Sequence, residues 1–146
     1  MKRFHVNMTV KDLDKSIRFY NELFATQPTV RKDDYAKWML DDPFINFSVS
    51  TKGEIAGIDH VGIQANDPAE LAAIRERLVK ADSPIFDQDA VNCCYADSKK
   101  AWIRDPDGVA WETFHTTGQT TNYGDDTAPE RARLGENPKP SAACCG

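Results

Sequence analysis

Phe4, Val6, Met8 and Val10 alternate with His5, Asn7 and Thr9 near the start of the chain. Period two over this length predicts a strand with one apolar and one polar face. Asp12 then stands where a helix needs an N-cap, and Leu13, Ile17, Tyr20, Leu23 and Phe24 fall on one stripe at helical spacing. Short strands are predicted at residues 27–30, 36–40 and 44–49, separated by Lys32-Asp33-Asp34 and Asp41-Asp42-Pro43. The same sequence of patterns then returns. Residues 58–65 alternate, with His60, Gly62 and Gln64 on one face and Val61, Ile63 and Ala65 on the other. Asp67-Pro68 opens a second helix, Pro68 sitting at the first position, where a missing N–H costs nothing. Leu71, Ile74, Leu78 and Ala81 form its stripe, and three more strands are predicted near residues 84–86, 100–104 and 109–114.

Laying His5 over His60 also lays Asp12 over Asp67, at a common offset of 55 residues. One offset that matches strand, histidine and helix cap marks two copies of one supersecondary unit. The expected fold class is α+β: two tandem βαβββ modules, about residues 1–52 and 55–115, forming a curved mixed sheet around a site on the polar faces of the first strands. Residues 116–146 are rich in glycine, proline, charge and small polar side chains and offer little to bury. They are expected to form a flexible polar tail ending in Cys144-Cys145-Gly146.

Composition narrows the function. At 146 residues with a net charge of −5, the chain is one domain by size and carries no basic cluster suited to nucleic acid. No apolar run approaches a membrane span, and the N-terminus turns polar too early for a signal peptide. A cytoplasmic location is therefore expected. The four cysteines come as two adjacent pairs, Cys93-Cys94 and Cys144-Cys145, a spacing that suits a soft metal or metalloid better than a disulfide framework.

The repeat isolates three candidate metal ligands: His5, His60 and Glu112, the last a carboxylate inside a short apolar strand. Burying that carboxylate is costly unless a cation meets it. A lone strand histidine is more often structural, but two at matched repeat positions together with a strand-borne glutamate are hard to obtain by chance. Two imidazoles and one carboxylate suit non-haem Fe(II) with open positions, and the same set accepts Ni, Co, Mn or Zn. The repeat mate of Glu112 is expected near Phe47, an apolar residue that would leave a fourth position without a protein ligand. His115 is expected on the opposite face and is left outside the site.

The βαβββ repeat with His, His and Glu resembles the vicinal oxygen chelate superfamily over about residues 1–115. The segments LDKSIRFYNELF, DYAKWML, NCCYADSKKAW and WETF, and the CCG end, resemble its branch of cadmium-induced proteins and arsenic-inducible C–As lyases. That resemblance implies an Fe(II)-dependent dioxygenase cleaving the carbon–arsenic bond of trivalent organoarsenicals to arsenite. It also implies iron ligands His5, His60 and Glu112 and arsenic-binding thiols Cys93 and Cys94. The implied partners are a small organoarsenical and O₂, with no nucleic acid and no membrane, and the site falls either within one chain or across a homodimer. Two other readings stay open: a thiol-based Cd²⁺ or As(III) binder, and another metal-dependent enzyme of this fold, a thiol transferase or isomerase. Adjacent residues of a regular strand point to opposite faces, so convergence of both thiols on one arsenic predicts that residues 91–99 form a loop.

Overall fold

The computed structural model describes residues 1–81, 84–93 and 96–119. Strand β1 (Arg3–Thr9) leads into helix α1 (Leu13–Phe24), then β2 (Val30–Arg31), β3 (Tyr35–Asp41) and β4 (Phe44–Ser50). The order repeats as β5 (Gly57–Gln64), α2 (Pro68–Val79), β6 (Phe86–Cys93), β7 (Ala96–Arg104) and β8 (Ala110–Gln119). Both helices start where the sequence indicates. Asp12 accepts from the backbone N–H of Lys15 at 2.9 Å and Asp67 from that of Glu70 at 2.8 Å, each satisfying a donor that the first helical turn cannot pair internally.

Helix α1 lays Leu13 and Ile17 against Ala36, Trp38, Leu40, Phe47 and Val49, with Tyr20 and Phe24 completing the cluster. The ring centroids of Tyr20 and Phe47 are 4.6 Å apart and those of Phe24 and Phe47 5.2 Å. Each such side chain taken from water contributes roughly 1.5–3 kcal/mol. Trp38 is wholly enclosed and keeps its indole N–H satisfied by Asn21 Oδ1 at 3.2 Å. Leu23, expected on the packed stripe, is instead 61 % exposed, because the stripe follows Leu13, Ile17, Tyr20 and Phe24 at spacings of four, three and four.

The eight strands of the described residues form one mixed sheet in the order β2-β3-β4-β1-β5-β8-β7-β6. β1 is parallel to β4 and antiparallel to β5, which is parallel to β8, so the two modules join along β1–β5. The expectation of a curved sheet wrapped around the metal site is corrected here. The sheet is open, with β2 and β6 as its outer strands, and it is not curled around the site. Closure is unnecessary because the strands bearing His5, His60 and Glu112 run side by side in the order β1-β5-β8, which brings their ligand atoms within 4.8 Å of one another.

Two further differences are local. β2 covers only two residues, since Pro28 has no N–H to give to a ladder. Residues 91–93 and 96–99, expected as loop, are strand: Val91 pairs with Ser98, Asn92 with Asp97 and Cys93 with Ala96. The irregularity is a register shift between Gln88 and Val91, and another between Asp97 and Ser98 on the β8 side. Strand β8 also runs to Gln119, past the expected boundary at residue 115. Residues 120–146, including Cys144 and Cys145, lie outside the described residues, as does Cys94.

Candidate metal centre

His5 comes from β1, His60 from β5 and Glu112 from β8, all in one chain and all buried. His5 Nε2 and His60 Nε2 lie 3.2 Å apart, and Glu112 Oε2 is 3.6 Å from the first and 3.4 Å from the second. An ion above the centre of this triangle sits roughly 2 Å from each atom, the bond length of a divalent transition metal to imidazole nitrogen or carboxylate oxygen.

The proton positions make the same point. His5 Nδ1 faces the backbone carbonyl of Asn46 at 3.0 Å, and His60 Nδ1 faces Asp59 Oδ2 at 2.6 Å. Each imidazole therefore donates its Nδ1–H outward and turns the Nε2 lone pair toward the other and toward a carboxylate oxygen. Burial is the main influence on His5 and pushes its pKa down to about 4, so this ring is neutral at pH 7. For Glu112 burial is again the largest influence and opposes ionisation. The adjacent Lys100 cation opposes it and holds the carboxyl well below the usual carboxylate range. Three buried lone-pair donors facing one another are repulsive until a cation joins them. The donor set is a divalent-metal-binding triad, and among the described residues it is the one such cluster.

Neighbouring side chains enclose the triad. Phe114 meets His5 edge-on at 5.1 Å and Trp102 meets His60 at 5.0 Å, while Tyr35, Asn46 and Ser48 line the pocket from the first module and Ser98, Lys100 and Thr116 from the second. Phe47, expected to be the repeat mate of Glu112, is in the core beneath α1. The β4 residues facing the pocket on either side of it are Asn46 and Ser48, because alternation sends neighbours to opposite faces. His115 stays away from the triad, its Nδ1 3.3 Å from the carbonyl of Ala65.

Sequence reasoning missed Lys100 and Asp59. Lys100 Nζ is 2.7 Å from Glu112 Oε1, with both side chains 5 % exposed. It occupies one oxygen of the carboxylate and leaves Oε2 toward the histidines. Its signal was available, since Ser98, Lys100 and Trp102 share one phase while Ala101 and Ile103 take the other. Asp59 directly precedes His60, where an acidic neighbour can reach Nδ1 and fix the tautomer.

The profile of the Glyoxalase/Bleomycin resistance protein/Dioxygenase superfamily matches residues 2–113, and the chain belongs to that superfamily. Within it, the chain is 41 % identical to a trivalent organoarsenical cleaving enzyme of Bacillus sp. (strain MD1), over 99 % of this chain and 91 % of that one. A second relative, the probable trivalent organoarsenical cleaving enzyme of Bacillus subtilis (strain 168), is 35 % identical over 88 % of this chain and 89 % of that one. Among solved structures, homoprotocatechuate 2,3-dioxygenase from Arthrobacter globiformis shares the fold with a TM-score of 0.60 at 18 % identity, covering 82 % of this chain and 37 % of the dioxygenase. No helix among the described residues is long and apolar enough to cross a membrane.

Proposed function

We propose that this protein is an Fe(II)-dependent enzyme that uses O₂ to cleave the carbon–arsenic bond of trivalent organoarsenicals and releases inorganic arsenite. The observation that carries the reading is the convergence of three buried lone-pair donors in a chain 41 % identical to a trivalent organoarsenical cleaving enzyme. His5, His60 and Glu112 hold the metal. With only three protein ligands, Fe(II) held there would be able to take up O₂ and substrate.

Cys93 and Cys94 bind the arsenic. Trivalent arsenic in methylarsonous acid has two exchangeable oxygens, and two thiolates replace them with a soft–soft match. Vicinal placement makes the second As–S bond an intramolecular event. Cys93 ends β6 and pairs with Ala96, two residues before the pocket-lining Ser98 on β7, and this backbone proximity to the pocket wall supports the reading. The protein's part is to orient the As–CH₃ group, keep Glu112 ionised through Lys100, and hold both imidazole tautomers with their lone pairs inward. The balance closes on one O₂. Methylarsonous acid and O₂ give arsenous acid and formaldehyde, the C–As bond breaks, and carbon loses the four electrons that O₂ gains.

A thiol-based cadmium or arsenite binder is the second reading, favoured by 26 % identity over 99 % of the chain to a cadmium-induced protein of Mycobacterium bovis. Such a binder has no use for a buried triad with an open face. Arsenite release from methylarsonous acid separates the two readings when measured on Fe(II)-loaded, Zn(II)-loaded and metal-free protein. Release with Fe(II) alone is expected, and Cys93→Ser is expected to keep its iron and lose at least tenfold in turnover. Unchanged turnover in that variant removes the thiols from the reaction, and tight arsenite binding without turnover in any metal state leaves the binder.

A further inference from the structure

Asn46 is 4 % exposed and directly opposite His5 in the parallel β1–β4 pair. Paired residues of neighbouring strands share a face, so its side chain stands beside the His5 ring and lines the triad's pocket. Two of its polar groups are engaged. The backbone carbonyl faces His5 Nδ1 at 3.0 Å, and the side-chain Nδ2 donates to Gln64 Oε1 at 2.9 Å. The side chain's other polar atom, Oδ1, is buried and has no hydrogen-bond donor in reach among the described residues. Buried carbonyl oxygens are rarely left so, because an unmet acceptor forfeits its hydration. The pocket that Asn46 lines holds about 30 Å³, enough for a water-sized group.

We propose that Asn46 is a positioning residue of the metal centre, its Oδ1 accepting a hydrogen bond from the water, or the hydroxyl-bearing ligand that replaces it, on the metal. The inference rests on the reading that His5, His60 and Glu112 hold a divalent ion. The Gln64 bond sets the amide's orientation, so the acceptor is fixed before any ligand arrives. A neutral amide also leaves the metal position exchangeable, whereas a carboxylate at this point would compete for the metal itself. The first module thus contributes His5 as a metal ligand and, from the strand paired with it, an acceptor for the exchangeable ligand.

Co(II) affinity, measured by chelator competition, and the visible bands of the Co(II)-loaded protein test this without turnover. Asn46→Leu keeps the volume and removes the acceptor. It is expected to weaken Co(II) binding about tenfold, the usual effect of losing an outer-sphere partner, and to alter the visible bands. Asn46→Asp keeps an oxygen at the same place and is expected to bind Co(II) at least as tightly as the parent. Parent-like affinity and spectrum in Asn46→Leu overturn the proposal, and so does weaker binding in Asn46→Asp, which marks a purely structural role. If Asn46→Leu does not fold, Asn46→Ala, which also removes the acceptor, takes its place with the same expected and contrary results. Failure of the parent protein to bind Co(II) refutes instead the metal-site reading beneath it.

Discussion

At the scale of single residues, the centre is a balance of charges kept out of water. Lys100 and Glu112 form an ion pair in which both partners are buried, and removing one partner of such a pair typically costs 3–5 kcal/mol, since the other charge remains unpaired. Lys100→Met is accordingly expected to lower the stability of the metal-free protein by about 3 kcal/mol. A divalent ion on Glu112 restores the missing positive charge, so metal should raise the melting temperature of the variant by more than it raises that of the parent. Equal increments by calorimetry would show that Lys100 is not the counter-charge of the empty site. His5 sets a pH dependence. The unfolded chain takes up a proton on it near 6.5, while the folded protein resists down to about 4, so between these values the unfolded state binds more protons and acid favours it. The contribution, ~3 kcal/mol from the gap in pKa, is fully present above pH 6.5 and is lost as pH falls to about 4. Metal-free His5→Phe should show a correspondingly shallower fall in denaturant-derived stability over that window than the parent.

At the scale of elements, the centre depends on how closely β5 and β8 approach. Gly62 pairs with Glu112 across this parallel pair, and a Cβ at Gly62 would overlap the Glu112 carbonyl oxygen. The obstacle is backbone, so β8 must shift and carry Glu112 with it. Gly62→Ala is expected to cost about 1–3 kcal/mol and to weaken metal binding at least tenfold, which thermal melts and chelator competition would reveal. The helices were legible in the sequence because Asp12 and Asp67 combine a cap with an apolar stripe, two independent signals of one element. The β6–β7 hairpin was less legible. Its pairing is a long-range choice among backbone groups, and register shifts at Gln88/Val91 and Asp97/Ser98 interrupt the alternation that would announce it. Phe47 and Asn46 show the same limit, since a single-residue error in repeat alignment exchanges the core face of a strand for its pocket face.

At the scale of the whole molecule, two βαβββ modules meet along β1–β5 and place the triad on three adjacent strands of one open sheet. His5 and His60 were legible because duplication repeats them, and Glu112 because a carboxylate in an apolar strand needs a reason. Lys100 was harder to read: it shares the phase of Ser98 and Trp102, yet a second lysine in a charged run reads as solvated surface until the neighbouring strand shows what it faces. The proposed chemistry needs O₂ as a co-substrate at this triad, and oxygen consumption tests it most directly. Fe(II)-loaded protein given methylarsonous acid in an oxygen-electrode cell should consume one O₂ for each arsenite formed and release no arsenite under anaerobic conditions. Arsenite formed at the same rate without O₂, or no oxygen uptake with iron and substrate bound, would contradict the account.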